Sequence, residues 1–485
     1  MPNKVLISWS RYGVAGLHPD PIVPLVSGAR FHLGVGYALP VLLTMGTTES
    51  VASLQASVTI SCDTTPVSTP LAIQLQANVW NIKVPDVPTM LTHSNVWIDP
   101  VHKLMSSALR PQAKLWTEWE LSQGFLRQIY ASRATDFMQP CTDTVHTNAP
   151  INTTCFEAAL DFAHAHSPWG KEQFVTVPGT WLGGNFGDAI NWQGIPIFYT
   201  ENDVLQLTPS FIKAFTHVAS AFLRVLQDYG VPARHREVKL VDEPALENAT
   251  ILRKCVLLFS LTRQVCATHG GCCIRNSGAY LPSALFPLLT ETDIWDVHAD
   301  GLTGLPQMWK AAQNATGIRL SVYNNAVDNI DQPSLRTRIF FWEIGFGRVV
   351  PLIGSLSWWA DSDWSAVSPW DNANANTNGD GILFYPPWGG PLNLTASLGQ
   401  PFVPLRSMRW EQAAAGLLDH ELFMLARAAN RTAADAVVSG VTWGMPRVSP
   451  ASDQPFTVDC AVLESARTQL AAIAESTTTH LQPQK

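Results

Sequence analysis

Residues 237–244 read Glu-Val-Lys-Leu-Val-Asp-Glu-Pro, and this stretch decides the fold prediction. It predicts a short strand that ends on two adjacent carboxylates, Asp242 and Glu243. Because Pro244 biases the residue before it toward extended geometry, we expect the backbone to stay extended through Glu243. Neighbouring side chains on an extended backbone point to opposite sides, so the two carboxylates are predicted to diverge. Paired carboxylates with different roles are typical of glycosidic bond cleavage, whereas a capping or surface acid pair is the simpler interpretation.

The segment in front of this strand predicts the clearest helix of the chain, from Thr208 to Gly230. Thr208 is a suitable N-cap, Pro209 takes the first helical position, and Gly230 is a C-terminal stop. Six apolar residues recur at helical spacing and form one stripe: Phe211, Phe215, Val218, Phe222, Val225 and Leu226. This stripe is predicted to lie in the core.

Strands and helices alternate on both sides of this unit, which is typical of βα units. Strands are predicted at residues 95–99, 136–138, 173–177, 237–241, 272–276, 292–298, 317–323 and 350–358. Helical segments are predicted at residues 116–133, 156–166, 208–230, 249–268, 304–314, 334–345 and 407–430. Eight strands separated by helices are the count of a (β/α)8 TIM barrel, an α/β fold.

The barrel is predicted to be one of three parts of the chain. Residues 1–87 lack helical periodicity and contain short alternating strands, which predicts an antiparallel β-sandwich. This sandwich is short of strands, so we expect it to be truncated at its start. The barrel is predicted to occupy residues 88–435, and residues 436–485 are predicted to form a C-terminal extension with a flexible tail.

The composition limits the partners that the chain is expected to have. Of its 485 residues, 46% are hydrophobic and only 14% are charged, and the net charge is −8 without any run of Lys or Arg. Nucleic acid is therefore not a predicted partner. No apolar stretch is long enough to predict a membrane span. The 18 tryptophans supply flat apolar platforms that suit stacking on sugar rings.

The cysteines and sequons bear on metal binding and on the compartment. Cys266, His269, Cys272 and Cys273 lie close together in sequence and raise the possibility of zinc. Adjacent cysteines on a strand face opposite ways, so buried thiols or one disulfide are preferred, and no metal or cofactor is predicted. The N-terminus lacks a signal-peptide layout, which leaves the compartment open. The secretory route is weakly favoured by five Asn-x-Thr sequons, at Asn152, Asn248, Asn314, Asn393 and Asn430.

The predicted strand ends define the predicted site, because a barrel forms its active site at the C-terminal ends of its strands. These ends carry Asp99, Asp136, Thr176, Asp242-Glu243, Asn276, His298, Tyr323-Asn324 and Trp358-Trp359. Such a ring is polar and aromatic without a basic cluster. It suits a neutral, hydroxyl-rich ligand better than a phosphate.

Four short motifs follow one another in the chain. They are Asp242-Glu243-Pro244, Trp359-Ala-Asp-Ser-Asp-Trp364, Gly379-Asp-Gly-Ile-Leu-Phe-Tyr-Pro386 and Ser407-Met-Arg-Trp-Glu411, with Asp419 further on. Over roughly residues 70–430 this combination resembles glycoside hydrolase family 123, the retaining β-N-acetylgalactosaminidases, and related uncharacterised domains. For Arg409, Glu411 and Asp419 we prefer the structural interpretation that they pin the last helix to the barrel.

The resemblance implies an exo-acting hydrolase of glycans or glycolipids that releases terminal β-linked N-acetylgalactosamine by substrate-assisted catalysis. It implies that Glu243 is the general acid and base, and that Asp242 holds the acetamido group of the sugar. By the same resemblance Tyr323 would hydrogen-bond that group, and Trp359 and Trp364 would form walls of the sugar pocket. Two alternatives stay open: a non-catalytic carbohydrate-binding protein on a degenerate barrel, and a glycosidase with a different sugar specificity.

Overall fold

The computed structural model of the chain describes residues 6–7, 16–17, 53–60, 71–85, 89, 91–95, 128–129, 150–180, 182, 191–241, 243–278, 286–298, 306–323, 352–359, 384–385, 405–406, 408–442, 457 and 459–478. These residues form a mixed α/β protein with a central parallel sheet.

The elements are named here in chain order. The strands are β1 (Leu6–Ile7), β2 (Gly16–Leu17), β3 (Ser53–Ile60), β4 (Leu71–Asn78), β5 (Leu91–Asn95), β6 (Gln128–Ile129), β7 (Phe174–Thr176), β8 (Asn191–Trp192), β9 (Ile195–Pro196), β10 (Phe198–Glu201), β11 (Val204–Leu207), β12 (Arg236–Lys239), β13 (Cys273–Gly278), β14 (Ile294–His298), β15 (Arg319–Tyr323), β16 (Leu352–Trp359), β17 (Phe384–Tyr385) and β18 (Leu405–Arg406). The α-helices are α1 (Thr154–His166), α2 (Pro209–Asp228), α3 (Ala249–Ala267), α4 (Phe286–Leu289), α5 (Pro306–Thr316), α6 (Met408–Ala429), α7 (Arg431–Ser439) and α8 (Cys460–Thr478).

The central sheet has the order β5-β16-β15-β14-β13-β12-β7-β6, and its paired strands are all parallel. From β6 to β16, strands of this sheet that come one after another along the chain lie side by side. The first strand, β5, pairs with the last, β16. Helices connect several of these parallel strands, as parallel pairing requires. The prediction of an α/β fold on a parallel sheet is confirmed, whereas closure into a barrel stays a prediction.

The first two strands of the sheet lie elsewhere than predicted. The first is Leu91–Asn95 rather than 95–99, and the second is Gln128–Ile129, inside a segment predicted to be helical. The strand predicted at 136–138 lies outside the described residues. Both observed strands are short, and their partners are distant in sequence, since β5 pairs with β16 and β6 pairs with β7. Pairing of this kind overrides local periodicity, which was the only signal available from the sequence.

The predicted 208–230 helix is confirmed as α2. The Oγ1 atom of Thr208 accepts a hydrogen bond from the backbone N of Phe211 at 3.2 Å, and Pro209 is the first helical residue. Gly230 has φ +70°, the left-handed conformation in which glycine ends helices at little cost. The apolar stripe is buried and shares one core with Val238, Leu240 and other residues of the sheet. Helix α2 and strand β12 therefore contribute to the same core.

One face of the sheet holds a buried charged cluster next to a small apolar one. Arg275 of β13 binds Asp296 of β14 through two hydrogen bonds, Nε to Oδ2 at 2.6 Å and Nη2 to Oδ1 at 2.7 Å. Its Nη1 donates to Oε1 of Glu237 on β12 at 3.0 Å. All three side chains are at most 3% exposed. One guanidinium thus ties three neighbouring strands together.

The C-terminal part of the chain forms a second core, in which α6, α7 and α8 pack together and against Trp80. Helix α8 occupies Cys460–Thr478, within the segment predicted to include a flexible tail. Nε of Arg467 on α8 lies 2.6 Å from Oδ1 of the buried Asp419 on α6. The described ion-pair partner of Asp419 thus belongs to α8, and the prediction that Asp419 pins the last helix to the barrel stays a prediction.

Helix α6 is linked to the sheet by Glu421 instead. Its Oε1 accepts hydrogen bonds from the backbone N of Thr89 at 2.7 Å and from Oγ1 of Thr89 at 2.8 Å, two residues before β5 begins. Burial acts to raise the pKa of Glu421, but the hydrogen bonds from His420 and Thr89 outweigh it and hold the pKa below its ordinary value. The ionised carboxylate is thus the form that fits this contact.

A disulfide joins Cys266 at the end of α3 to Cys272 before β13, and Cys273 is a buried free thiol. Two of the cysteines considered as zinc ligands are therefore bonded to each other.

In the N-terminal part, β3 pairs with β4 and β1 with β2, both antiparallel. The predicted two-layered sandwich is not tested by these pairs. No helix in the described part of the chain is long and apolar enough to cross a membrane.

The buried cluster yields a stability prediction. We expect Arg275→Ala to lower the free energy of unfolding by about 3–5 kcal/mol, because it leaves two carboxylates buried without their cation. Chemical denaturation would measure this loss. The matched control is Arg263→Ala, which removes a half-exposed arginine 2.9 Å from Asp293 and should cost only about 1 kcal/mol. Equal losses in the two variants would contradict the assignment of the buried cluster.

Candidate active site

The connection between β12 and α3 carries the predicted acid pair. β12 ends at Lys239, and Leu240 and Val241 continue as buried chain. The carbonyl of Leu240 accepts a hydrogen bond from the backbone N of Leu182 at 2.8 Å, which extends the contact between the segments after β7 and β12. Because parallel strands present their carboxyl ends at one edge of a sheet, this connection lies at the edge where α/β proteins bind ligands.

Glu243 is exposed and has φ +42°, while the next residue, Pro244, is buried. The expectation that the backbone stays extended through Glu243 is therefore wrong. The chain turns here because it must pass from the buried Val241 to the cap of α3 within a few residues. Pro244 disfavours the right-handed helical region for the residue before it, but it does not require that residue to be extended.

The far end of the connection is held by hydrogen bonds. The backbone N of Leu246 donates to the carbonyl of Pro244 at 2.8 Å, and that of Asn248 donates to the carbonyl of Ala245 at 3.0 Å. The side chain of Asn248 caps α3 by accepting from the backbone N of Thr250 at 2.9 Å. Glu243 thus projects from a short connection that is anchored on both sides.

Asp242 lies outside the described residues. Since the divergence of the two carboxylates was argued from an extended backbone, that argument does not apply to the observed turn at Glu243. The pairing of Asp242 with Glu243 in one site stays a prediction.

Where the structure describes their backbone, the other predicted site residues lie at the same edge of the sheet. Tyr323 is the last residue of β15 and is in register with His298, the last residue of β14. Trp359 is the last residue of β16 and is in register with Asn95, the last residue of β5. Trp364 lies outside the described residues. The roles predicted for these residues stay predictions.

The charged cluster lies just below this edge. Lys239 is in register with Arg275, and Asp296 stands two residues before His298 on β14. Burial raises the pKa of Glu237, and the charge and hydrogen bond of Arg275 oppose that rise. Sequence reasoning missed this layer, although charged residues recur at alternate positions on adjacent predicted strands.

Two hairpins that were not predicted lie between β7 and α2. β8 pairs with β9 and β10 pairs with β11, and both central residues of the second turn, Asn202 and Asp203, have positive φ. Two residues that tolerate positive φ, placed between segments of alternating apolar and polar residues, are a hairpin signal. This signal was present in the sequence and would have predicted the second hairpin. The ammonium group of Lys254 on α3 lies 5.4 Å from the ring centre of Phe198. The second hairpin therefore packs against the helix that follows Glu243.

No group of three or more His, Cys, Asp or Glu residues suited to a metal ion occurs among the described residues. The described side chains of the connection at this edge include two exposed carboxylates, Glu243 and Glu247.

No protein-family model and no curated protein matches the sequence. Among solved structures the chain is similar to a family 123 glycoside hydrolase from Clostridium perfringens, which was studied for glycolipid glycan hydrolysis. The TM-score is 0.57 and the sequence identity is 11%, and the match covers 98% of this chain and 84% of that chain. At this identity the likeness concerns the fold, with which the observed parallel sheet is compatible.

The turn at Glu243 can be tested by stability. We expect Glu243→Gly to be about 1 kcal/mol more stable than Glu243→Ala, because only glycine adopts a positive φ without a steric cost. Both variants remove the carboxylate, so the difference between them reports the backbone alone. The measurement is paired urea denaturation, and an alanine variant as stable as the glycine variant would indicate an extended residue 243.

Proposed function

We propose that the chain is a retaining exo-glycoside hydrolase that releases terminal β-linked N-acetylgalactosamine, or a similar N-acetylhexosamine, from a glycan or glycolipid. The observation that carries the proposal is the exposed Glu243 on the connection that follows the fourth strand of a parallel sheet. The likeness of this fold to that of a family 123 glycoside hydrolase supports it, as does that protein's link to glycolipid glycans.

The proposal includes closure of the sheet into a (β/α)8 barrel. The pairing of the first strand with the last supports closure, because this is the cyclic order of such barrels. The two strands that would close the ring, β5 and β6, approach each other within 8 Å between Cα atoms. Closure brings the ends of β12, β15 and β16 around one opening.

In the proposed reaction the acetamido oxygen of the sugar attacks its own anomeric carbon while the glycosidic bond breaks. Glu243 donates its proton to the leaving oxygen, and Asp242 accepts a hydrogen bond from the acetamido N–H and stabilises the positive oxazolinium-like intermediate. A water molecule then attacks the anomeric carbon and gives one proton to Glu243, which restores the acid, while the bond from that carbon to the acetamido oxygen breaks and its electron pair restores the acetamido group. Two displacements at the same carbon retain its configuration.

Tyr323, Trp359 and Trp364 complete the proposed pocket. The hydroxyl of Tyr323 would hydrogen-bond the acetamido group, and the two indoles would pack against the faces of the sugar. The register positions of Tyr323 and Trp359 at the strand ends support these roles. The absence of a basic cluster from the predicted ring fits an uncharged sugar.

The proposal predicts a specific pattern of substrate cleavage. We expect the protein to cleave an aryl β-N-acetylgalactosaminide and to leave the matching β-galactoside intact, because only the first carries the internal nucleophile. The freed sugar should first appear as the β-anomer, which NMR can follow. Equal turnover of the two glycosides would contradict substrate assistance, and cleavage of another N-acetylhexosaminide alone would reassign the sugar.

Two variants distinguish the proposed acid, Glu243, from another carboxylate on the same connection. Glu243→Gln should lower kcat/KM about 10²–10⁴-fold for a poor leaving group and much less for dinitrophenol, which needs no protonation. Glu247→Gln changes another exposed carboxylate on the same connection and should leave the activity unchanged. Binding of the glycan without release of any sugar would overturn the enzymatic proposal in favour of a carbohydrate-binding protein.

A further inference from the structure

The five Asn-x-Thr sequons are not used by the proposed reaction. Four of their asparagines are described, and all four are exposed: Asn152, Asn248, Asn314 and Asn430. Exposure is what an acceptor for N-linked glycans requires, since the attached oligosaccharide is bulky and hydrophilic.

Three of these asparagines share a second feature at the start of a helix. The Oδ1 atom of Asn152 accepts from the backbone N of Thr154 at 3.1 Å, and that of Asn430 accepts from the backbone N of Ala433 at 3.0 Å. Asn248 does the same toward Thr250 at 2.9 Å.

In each case the carbonyl side of the amide is used within the protein. The Nδ2 side has no hydrogen-bond partner in the described part of the chain, so an N-linked sugar would displace no contact there. Asn314 differs, because it lies inside α5 and the hydroxyl of its sequon residue Thr316 donates to the carbonyl of Ala312 at 2.8 Å.

The cysteines supply an independent observation. The Cys266–Cys272 disulfide is formed, and Cys155 is also disulfide-bonded. Disulfides persist in oxidising compartments such as the secretory route and the exterior of the cell. N-glycans are added along the same route, so bonded cysteines and exposed sequons point to one environment.

We propose that Asn152, Asn248 and Asn430 are N-glycosylation sites. The co-reactant is an oligosaccharide linked through a diphosphate to a lipid, presented by a glycosyltransferase of the secretory route. Nδ2 attacks the anomeric carbon of the first sugar and loses one proton to the transferase. The bond from that carbon to the phosphate oxygen breaks, and its electron pair leaves with the lipid diphosphate.

Asn248 has a particular place among the three sites. It lies on the same connection as Glu243, five residues further along, and its side chain caps α3. A glycan there extends from the C-terminal edge of the sheet, beside the candidate active site. The proposed glycosylation does not depend on the proposed hydrolysis, because its test measures occupancy of the asparagines and not activity.

The test uses the full chain with an added secretion signal, expressed in a eukaryotic cell. The purified protein is treated with peptide N-glycosidase in ¹⁸O-water, which converts each glycosylated asparagine to labelled aspartate, and is then digested and analysed by mass spectrometry. We expect the label at residues 152, 248 and 430. A peptide that contains unlabelled asparagine at one of these positions overturns that site.

Matched variants separate the glycan from the helix cap. Thr154→Ala, Thr250→Ala and Thr432→Ala each destroy one sequon, but the donors to the asparagines are backbone N–H groups and are kept. Each variant should carry one glycan fewer than the wild-type protein. After deglycosylation, its unfolding midpoint should equal that of the deglycosylated wild-type protein. Asn248→Asp keeps the capping oxygen and should likewise lose one glycan; glycan counts that stay unchanged in these variants overturn the assignment.

Discussion

The contact on which the sheet depends is the buried guanidinium of Arg275 between the carboxylates of Glu237 and Asp296. Each of three adjacent strands contributes one charge to it. A slip of one residue in any of them would move that charge to the face that packs against the helices, where it would have no partner. Buried ion pairs often add little net stability, but breaking one is costly. The cluster therefore favours one pairing register of the three strands, whereas a sheet with only apolar side chains could pair in several.

That register determines what the edge of the sheet presents. With β12, β13 and β14 aligned, Lys239 comes level with Arg275, and the chain leaves the sheet after Val241 toward Glu243. Two acids and two bases make up the charged side chains of this inner layer on the three strands. The charges of Arg275 and Lys239 both act on Glu237 and oppose the effect of burial on its pKa.

Local signals predicted the helices on either side of β12 and the central strands, but not the helices after residue 430. α2 carried its cap, its first-position proline and its terminal glycine within the segment itself, so its limits could be predicted within two residues. Gln128–Ile129 carried no such signal, because its strand conformation comes from pairing with β7, more than forty residues away. The charged interior was hidden for a related reason. Parallel strands are expected to be apolar on both faces, and Glu237 and Lys239 break that rule only because their partners stand on neighbouring strands.

At the candidate site the observed backbone geometry differs from the geometry that the motif predicted. Asp-Glu-Pro was predicted to follow a strand, and it does, but the direction of its side chains was inferred from an alternation that holds only for extended chain. With φ +42° at Glu243, the direction of that carboxylate is determined by a turn between two buried residues, Val241 and Pro244. A residue with an unfavourable backbone conformation is more often found at a functional site than on an ordinary surface, so the positive φ of Glu243 supports the proposed catalytic role over a surface acid pair.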